Sequence, residues 1–218
     1  MRVTLLAHTP DPERAIALAA RVCYSKEPPQ DIAPEKARKL IRELFARGHE
    51  SVLEHAFFSF LLEGISRVTS HQLVRHRLAS YAQQSQRYVD LGEASFVCPP
   101  SIAEHPRAKI VFDGVMAHAR EAYEELCRLG VAREDARYVF PQAVATNIVV
   151  SLNARELLHV ARVRLCRRAQ WEVREVVLRM IAEVGKVAPV LAEIAGPPCK
   201  FGPCPEGEKG CGRPWGTP

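Results

Sequence analysis

No stretch of this 218-residue chain is long and apolar enough to make a membrane-spanning helix. Its opening, MRVTLLAHTPDPER, holds only a short apolar run broken by His8 and Pro10, so no secretory leader is expected. The common catalytic shortcuts are missing too. There is no G-x-G-x-x-G after a strand, no G-x-x-x-x-G-K-[ST] and no G-x-S-x-G. His49-Glu50 lacks the second histidine of H-E-x-x-H, and Glu54-His55 lacks the histidine that the inverted motif places before its glutamate. These absences exclude a Rossmann dehydrogenase, a P-loop nucleotidase, the zinc peptidases and an α/β-hydrolase. No repeat of solenoid period is present.

What is present is ordinary in bulk. Hydrophobic residues make up 47% and charged residues 25%, enough for a packed core in one domain plus a short appendage. The net charge of +5 suits anionic ligands, but the basic residues form no concentrated stripe of the kind that binds nucleic acid. Seven cysteines without a leader suggest reduced thiols in a cytoplasmic protein, or metal, before a disulfide scaffold.

Hydrophobic spacing predicts an opening strand over residues 1–8 and a helix over 11–22 with Asp11 as its cap. A loop is expected over 27–36, and a helix from Pro34 that ends at Gly48. EHAFFSFLLEGI (54–65) reads as a central strand, and SRVTSHQLVRH (66–76) as a helix capped by Ser66. SFVCPP (95–100) reads as a short strand, 106–129 as the longest amphipathic helix, and REDARYVF (133–140) as a helical turn before Pro141. ATNIVVSLN (145–153) is a β-branched strand, and 154–188 is helical. Without a regular βαβ repeat this mixture predicts an α+β domain over 1–195, its largely antiparallel central sheet flanked by helices. Residues 196–218, with six Gly, six Pro and three Cys, form a distinct tail expected over the surface.

The chemistry lies in arginine. Arg75-His76-Arg77, read as an extension of the preceding helix, would point in three directions, since helical neighbours lie about 100° apart. That suits a junction of several ligand groups or chains. In the second arginine cluster, helical spacing puts Arg155, His159 and Arg162 in one stripe and Val160, Arg164 and Arg168 in another. Arg162 and Arg167 read as solvated positions paired with Glu156, Glu172 and Glu175. Arg164, between Val163 and Leu165, reads as partly buried, where a planar guanidinium stays charged and can grip phosphate or a pyrimidine edge.

The pattern Arg75-His76-Arg77, seven residues, Ser85, extended by Arg87-Tyr88, resembles the signature of the flavin-dependent thymidylate synthases, the ThyX family. GHESVLEH (48–55), Asn153-Ala154-Arg155 and RAQWE (168–172) resemble further segments of that family, in its order. The resemblance implies a ThyX-like fold, a homotetramer carrying FAD, and methylation of dUMP to dTMP. Methylenetetrahydrofolate would donate the carbon and NADPH the electrons. Neither nucleic acid nor membrane is an implied partner. Matching positions give nucleotide contacts at Gln72, Arg75, Gln83, Gln84, Ser85, Gln86, Arg87, Arg137 and Arg164. They give flavin contacts at Ser51, Arg75, His76, Arg77, Gln83, Asn153, Arg155 and His159. Arg164 would be the catalytic residue, stabilising charge that builds on the pyrimidine. Since the family's flavin rather than a thiol takes part in the transfer, Cys23, Cys98 and Cys127 read as packing residues.

Three positions depart from the family pattern: Gln83 where many members have Glu, His159 where Asn is frequent, and Arg168 where His is frequent. Each keeps a hydrogen-bond donor, and together they leave dUMP or a related uridine nucleotide as substrate. No metal is assigned, although Cys199, Cys204 and Cys211, with Cys166 as a candidate fourth ligand, make a nonstandard spacing for one. Two other readings stand beside the enzyme: a basic nucleic-acid-binding module, and a nucleotide-binding subunit of the same fold without catalysis.

Overall fold

The computed structural model of the chain describes residues 1–26 and 31–216; residues 27–30 of the expected loop and the last two of the tail lie outside it. Strand β1 (Arg2–His8) leads into α1 (Pro12–Val22), where the Asp11 side chain accepts from the Arg14 N–H at 3.3 Å. Pro12 costs α1 nothing, because a first-turn N–H has no helical partner. Helix α2 (Pro34–Ala46) closes beyond Ala46 with Gly48 at φ 76°, a left-handed turn that glycine adopts without strain. Ile16, Ala17 and Ala20 on α1, and Ala37, Ile41 and Leu44 on α2, are buried at helical spacing.

Strand β2 (Phe57–Ser66) starts later than expected, because Ser51–His55 coil into a 3-10 turn. Phe58, Phe60 and Leu62 alternate into the core. Ser66 caps α3 (Arg67–Leu73) as expected, its Oγ accepting from the Thr69 N–H at 3.1 Å. Helix α3 ends before Arg75, however, so the fan of 75–77 comes from a turn and not from helical geometry. Strand β3 (Ser80–Gln83) has no apolar alternation and is not expected from the sequence; just beyond it, the Gln84 N–H donates to the Asn147 carbonyl at 2.9 Å.

The strand expected over 95–100 shrinks to one antiparallel bridge, Phe96 to Val144, because Pro99 and Pro100 lack the N–H groups a ladder needs. Helices α4 (Pro100–Ala103), α5 (Pro106–Arg128) and α6 (Arg133–Ala136) follow, with a 3-10 turn over Arg137–Val139. Strand β4 (Ala145–Asn153) buries Thr146, Ile148, Val150 and Leu152 in strict alternation. Last come α7 (Ala154–Arg164), α8 (Trp171–Gly185) and α9 (Pro189–Ile194). Since α7 stops at Arg164, Arg168 is not on one helical stripe with Val160 and Arg164.

The strands form one antiparallel sheet in the order β1-β2-β4-β3, giving the α+β class. The described chain gathers into two compact units. One, with α5, comprises Met1–Arg2, Leu62–Leu73 and Ala82–Ile148; the other, with α7, comprises Val3–Leu61, Val74–Tyr81 and Val149–Pro218. In the α5 unit, Leu91, Tyr123 and Ala136 form a small core with Leu126 and Phe140 packed on it. In the α7 unit, Phe58, Phe60, Leu157, Val173, Met180 and Leu191 are fully buried.

Candidate functional site

The α7 unit carries the most unusual electrostatics. Asn153 caps α7, its Oδ1 accepting from the Glu156 N–H at 2.9 Å, which sets the phase of the helix. That phase turns Glu156 inward, 5% exposed, and brings its Oε1 to 3.9 Å from Nδ1 of His76, itself 6% exposed. On the other side of the ring, Arg164 Nε donates to His76 Nε2 at 3.0 Å. A nitrogen that accepts from a guanidinium carries no proton, so the ring is neutral with its hydrogen on Nδ1. Burial, then the charge of Arg164 and the nearness of His159, push His76 down to about 4. At 3.9 Å, and with a neutral ring, the His76–Glu156 contact is therefore not an ion pair.

Burial also raises the Glu156 carboxyl and lowers Arg164, which still remains a cation at neutral pH. The Tyr81 hydroxyl, pushed up to about 12 mainly by burial, donates to the His76 carbonyl at 3.0 Å. The His159 ring meets His76 edge-on, with centroids 5.8 Å apart. The guanidinium of Arg164 is thus held by a positioned, uncharged partner. It borders a cavity of about 570 Å³ with Arg162, Arg168 and, from the tail, Pro198, Cys199 and Cys204.

Arg75 and Arg77, on either side of buried His76, are exposed. Among the described residues neither side chain makes a hydrogen bond or ion pair, so both remain available to an anion. Arg155 and Arg162 differ. Arg155 Nη1 donates to Glu54 Oε1 at 2.5 Å, and Arg162 Nη2 to Glu50 Oε1 at 2.9 Å. The partners expected for Arg162 are otherwise engaged: Glu156 and Glu172 are buried, and Glu175 pairs with Arg179 at 2.8 Å. Arg167 is half-buried instead of solvated. Ser51 opens the 3-10 turn and is exposed.

The α5 unit holds the remaining assigned residues. Gln72 Nε2 donates to the Val68 carbonyl at 3.4 Å, and Gln83 Nε2 to Thr146 Oγ1 at 3.3 Å. Ser85 Oγ accepts from the Arg87 N–H at 3.2 Å, and its carbonyl from the Val89 N–H at 3.1 Å, which sets the turn over 86–88. Gln84 and Gln86 are half-buried. Arg87 Nε donates to Glu134 Oε2 at 2.6 Å and its guanidinium lies over the Tyr88 ring, 5.7 Å from the centroid. Arg137 Nε donates to the Glu134 carbonyl at 2.9 Å, so Glu134 organises both arginines. Burial, followed by the charge of Arg137, lowers Arg67.

Sequence reasoning missed Glu156, Tyr81 and Glu134. Asn153 followed three residues later by Glu156 is a capping pattern, and it could have fixed the helix phase that turns Glu156 inward. Nothing local marks Tyr81 or Glu134. Of the cysteines read as packing residues, Cys127 packs against the Leu91–Tyr123 core and Cys98 is half-buried, but Cys23 is exposed. No helix among the described residues is long and apolar enough to cross a membrane.

A protein-family comparison matches residues 4–190 to the Thy1 model, described as thymidylate synthase complementing protein. A flavin-dependent thymidylate synthase of Geobacter sulfurreducens is 48% identical, over 98% of this chain and 94% of its own. One of Pyrococcus furiosus is 45% identical, over 94% of this chain and 90% of its own. Among solved structures, a UMP/dUMP methylase, PolB from Streptomyces cacaoi bound with 5-Br dUMP, aligns with a TM-score of 0.80 at 28% identity. The alignment covers 88% of this chain and 93% of that one. With buried, charged and amide groups arranged as described and a match over nearly its whole length, the chain belongs to the Thy1 family, that of the flavin-dependent thymidylate synthases.

Proposed function

We propose that this enzyme methylates C5 of dUMP to give dTMP, with FAD bound, methylenetetrahydrofolate as carbon donor and NADPH as reductant. Flavin-dependent thymidylate synthase activity is the function its relatives carry by name. The observation that carries the catalytic assignment is the half-buried Arg164, its Nε fixed on neutral His76 beside a cavity of about 570 Å³. That volume lies in the range of small-molecule sites.

C5 of uracil is a weak nucleophile until charge flows toward N3 and O4. Arg164, held in one plane by His76, offers its planar fork of donors to that edge, so the developing anion meets a cation already in place. Partial burial strengthens the interaction, and the neutral ring avoids placing a second positive charge behind the first. Ser85 and the half-buried amides of Gln84 and Gln86 would hold the nucleotide, with Arg87 and Arg137 beside Glu134 near its phosphate. Arg75 and Arg77 fit a flavin's diphosphate, because both are exposed cations without carboxylate partners among the described residues. Bound there, the flavin would supply hydride and one-carbon transfer; the protein's part is to align the reactants and exclude water.

A homotetramer with shared sites accords with two surfaces. Arg75 and Arg77 are exposed, and on α5 Val111 and Val115 stand one turn apart beside Ile110, at 67%, 54% and 73% exposure. Apolar side chains so placed favour contact with another copy. A cytoplasmic location accords with seven free thiols.

The likeness to PolB, which is described as a UMP/dUMP methylase, favours a second reading in which UMP is also a substrate. The purified holoenzyme should be incubated separately with dUMP and with UMP, plus methylenetetrahydrofolate and NADPH, and the products separated by chromatography. Formation of dTMP, with rescue of a thymidine-requiring strain, is expected. Comparable methylation of UMP would replace the proposal with the broader one, and methylation of neither would end both.

A further inference from the structure

Four of the seven cysteines converge where the catalytic proposal makes no use of them. Cys166, just past α7, and Cys199, Cys204 and Cys211 of the tail border one cavity of about 20 Å³. That volume suits a single ion and excludes an organic ligand. All four thiols are free.

The tail needs a staple. Past Gly196 its regular structure is limited to two three-residue 3-10 turns, Pro198–Lys200 and Gly207–Lys209, among the described residues. None of residues 201–216 is buried, so no hydrophobic core holds them in place. Yet the backbone wraps closely around one sulfur: a Cβ added at Gly210 would lie 3.3 Å from Cys204 Sγ. The Cys211 thiol donates to the Arg213 carbonyl at 3.3 Å.

We propose that Cys166, Cys199, Cys204 and Cys211 form a structural zinc site that ties the tail to the end of α7. Four soft thiolates suit a tetrahedral ion, and redox-inert zinc is the common one in structural sites of that kind. No three ligating side chains among the described residues already stand in metal-holding positions, so the ion itself would close the site by drawing the four sulfurs inward. Each thiol gives up its proton to solvent as its sulfur bonds the metal, so four thiolates around Zn²⁺ carry a net charge of about −2. Arg167 and Arg213 border the same cavity and offset it, whereas Arg168, also at its border, already pairs with Glu206 at 2.6 Å. Cys199 and Cys204 also wall the cavity that contains Arg164, so the metal would fix that wall.

The test uses the full chain purified without chelator or added metal. Elemental analysis should find about one zinc per chain. Chelator added to the native protein should make four further cysteines reactive toward a thiol reagent. Cobalt exchanged into the site should give thiolate-to-metal charge-transfer bands. Cys199→Ser and Cys204→Ser should lose the metal while Cys23→Ser keeps it. If the tail variants do not fold, wild-type stoichiometry and the cobalt spectrum still decide. Protein isolated free of metal overturns the site, as does protein whose tail thiols are oxidised to disulfides. Retention of stoichiometric zinc in a folded Cys199→Ser, Cys204→Ser double variant overturns it as well.

Discussion

On one side of α7, Arg155 and Arg162 lie in solvent against Glu54 and Glu50; on the other, Arg164 is half-buried and rests on the neutral ring of His76. The residue type and the helix are the same, but the chemical consequence is opposite. An exposed guanidinium with a carboxylate partner is screened by water and salt, and such pairs contribute roughly 0–1 kcal/mol. A guanidinium withdrawn from water and held by an uncharged acceptor keeps its field for whatever enters beside it. The proposed catalytic arginine is the one whose Nε rests on a neutral ring.

Arg164→Ala offers the largest break in this contrast. Turnover should fall by about 10²–10³-fold, while the visible flavin absorbance of the purified protein stays at the wild-type level. Wild-type turnover would remove Arg164 from the mechanism.

Acidification attacks the same contact through its partner. The folded state favours neutral His76, so between the ordinary value of 6.5 and about 4 it holds fewer protons than the unfolded chain. This contribution to stability is present above 6.5 and is lost as pH falls toward 4. In the folded enzyme Nε2 becomes protonated only near pH 4; it then can no longer accept from Arg164, a hydrogen bond worth roughly 1–1.5 kcal/mol, so turnover should fall about tenfold as pH drops through about 4. His76→Gln keeps an acceptor without a titrating ring and should flatten the acid limb of the pH–rate profile. An unchanged limb would assign it to another group.

Ser85→Ala probes the α5 unit, where donors are arranged by turns instead of burial. Nucleotide affinity, read by calorimetry, should weaken about 3–10-fold, the worth of one neutral hydrogen bond, and flavin affinity less. Equal losses of both would refute the assignment of Ser85 to the nucleotide. Arg162→Ala should matter least. Its exposed pair with Glu50 predicts a stability change within about 1 kcal/mol in denaturant titration. A much larger loss would mean the two sides of α7 do not differ as described.

Much of this is legible in the chain of letters. Asp11 and Ser66 mark helix starts because their oxygens can accept from N–H groups just ahead of them. Strand β4 is readable with its full bounds, since Thr146, Ile148, Val150 and Leu152 alternate without a break. Strand β3 is not legible: Ser-Tyr-Ala-Gln has no such rhythm, and only a neighbouring strand makes it one. The helix predicted through His76 fails because α3 stops at Leu73, and no proline or glycine marks that end.

The sequence by itself determined the family, the capped helices and the concentration of arginines, because these depend on residue type and on spacing within a few turns. Only the tertiary structure decided what holds Arg164, that His76 is neutral, that Glu134 serves two arginines, and that four cysteines border one small cavity. Desolvation and long-range contact have no local code: His76 and Arg164 are 88 residues apart in sequence, and their hydrogen bond exists only where folding excludes water.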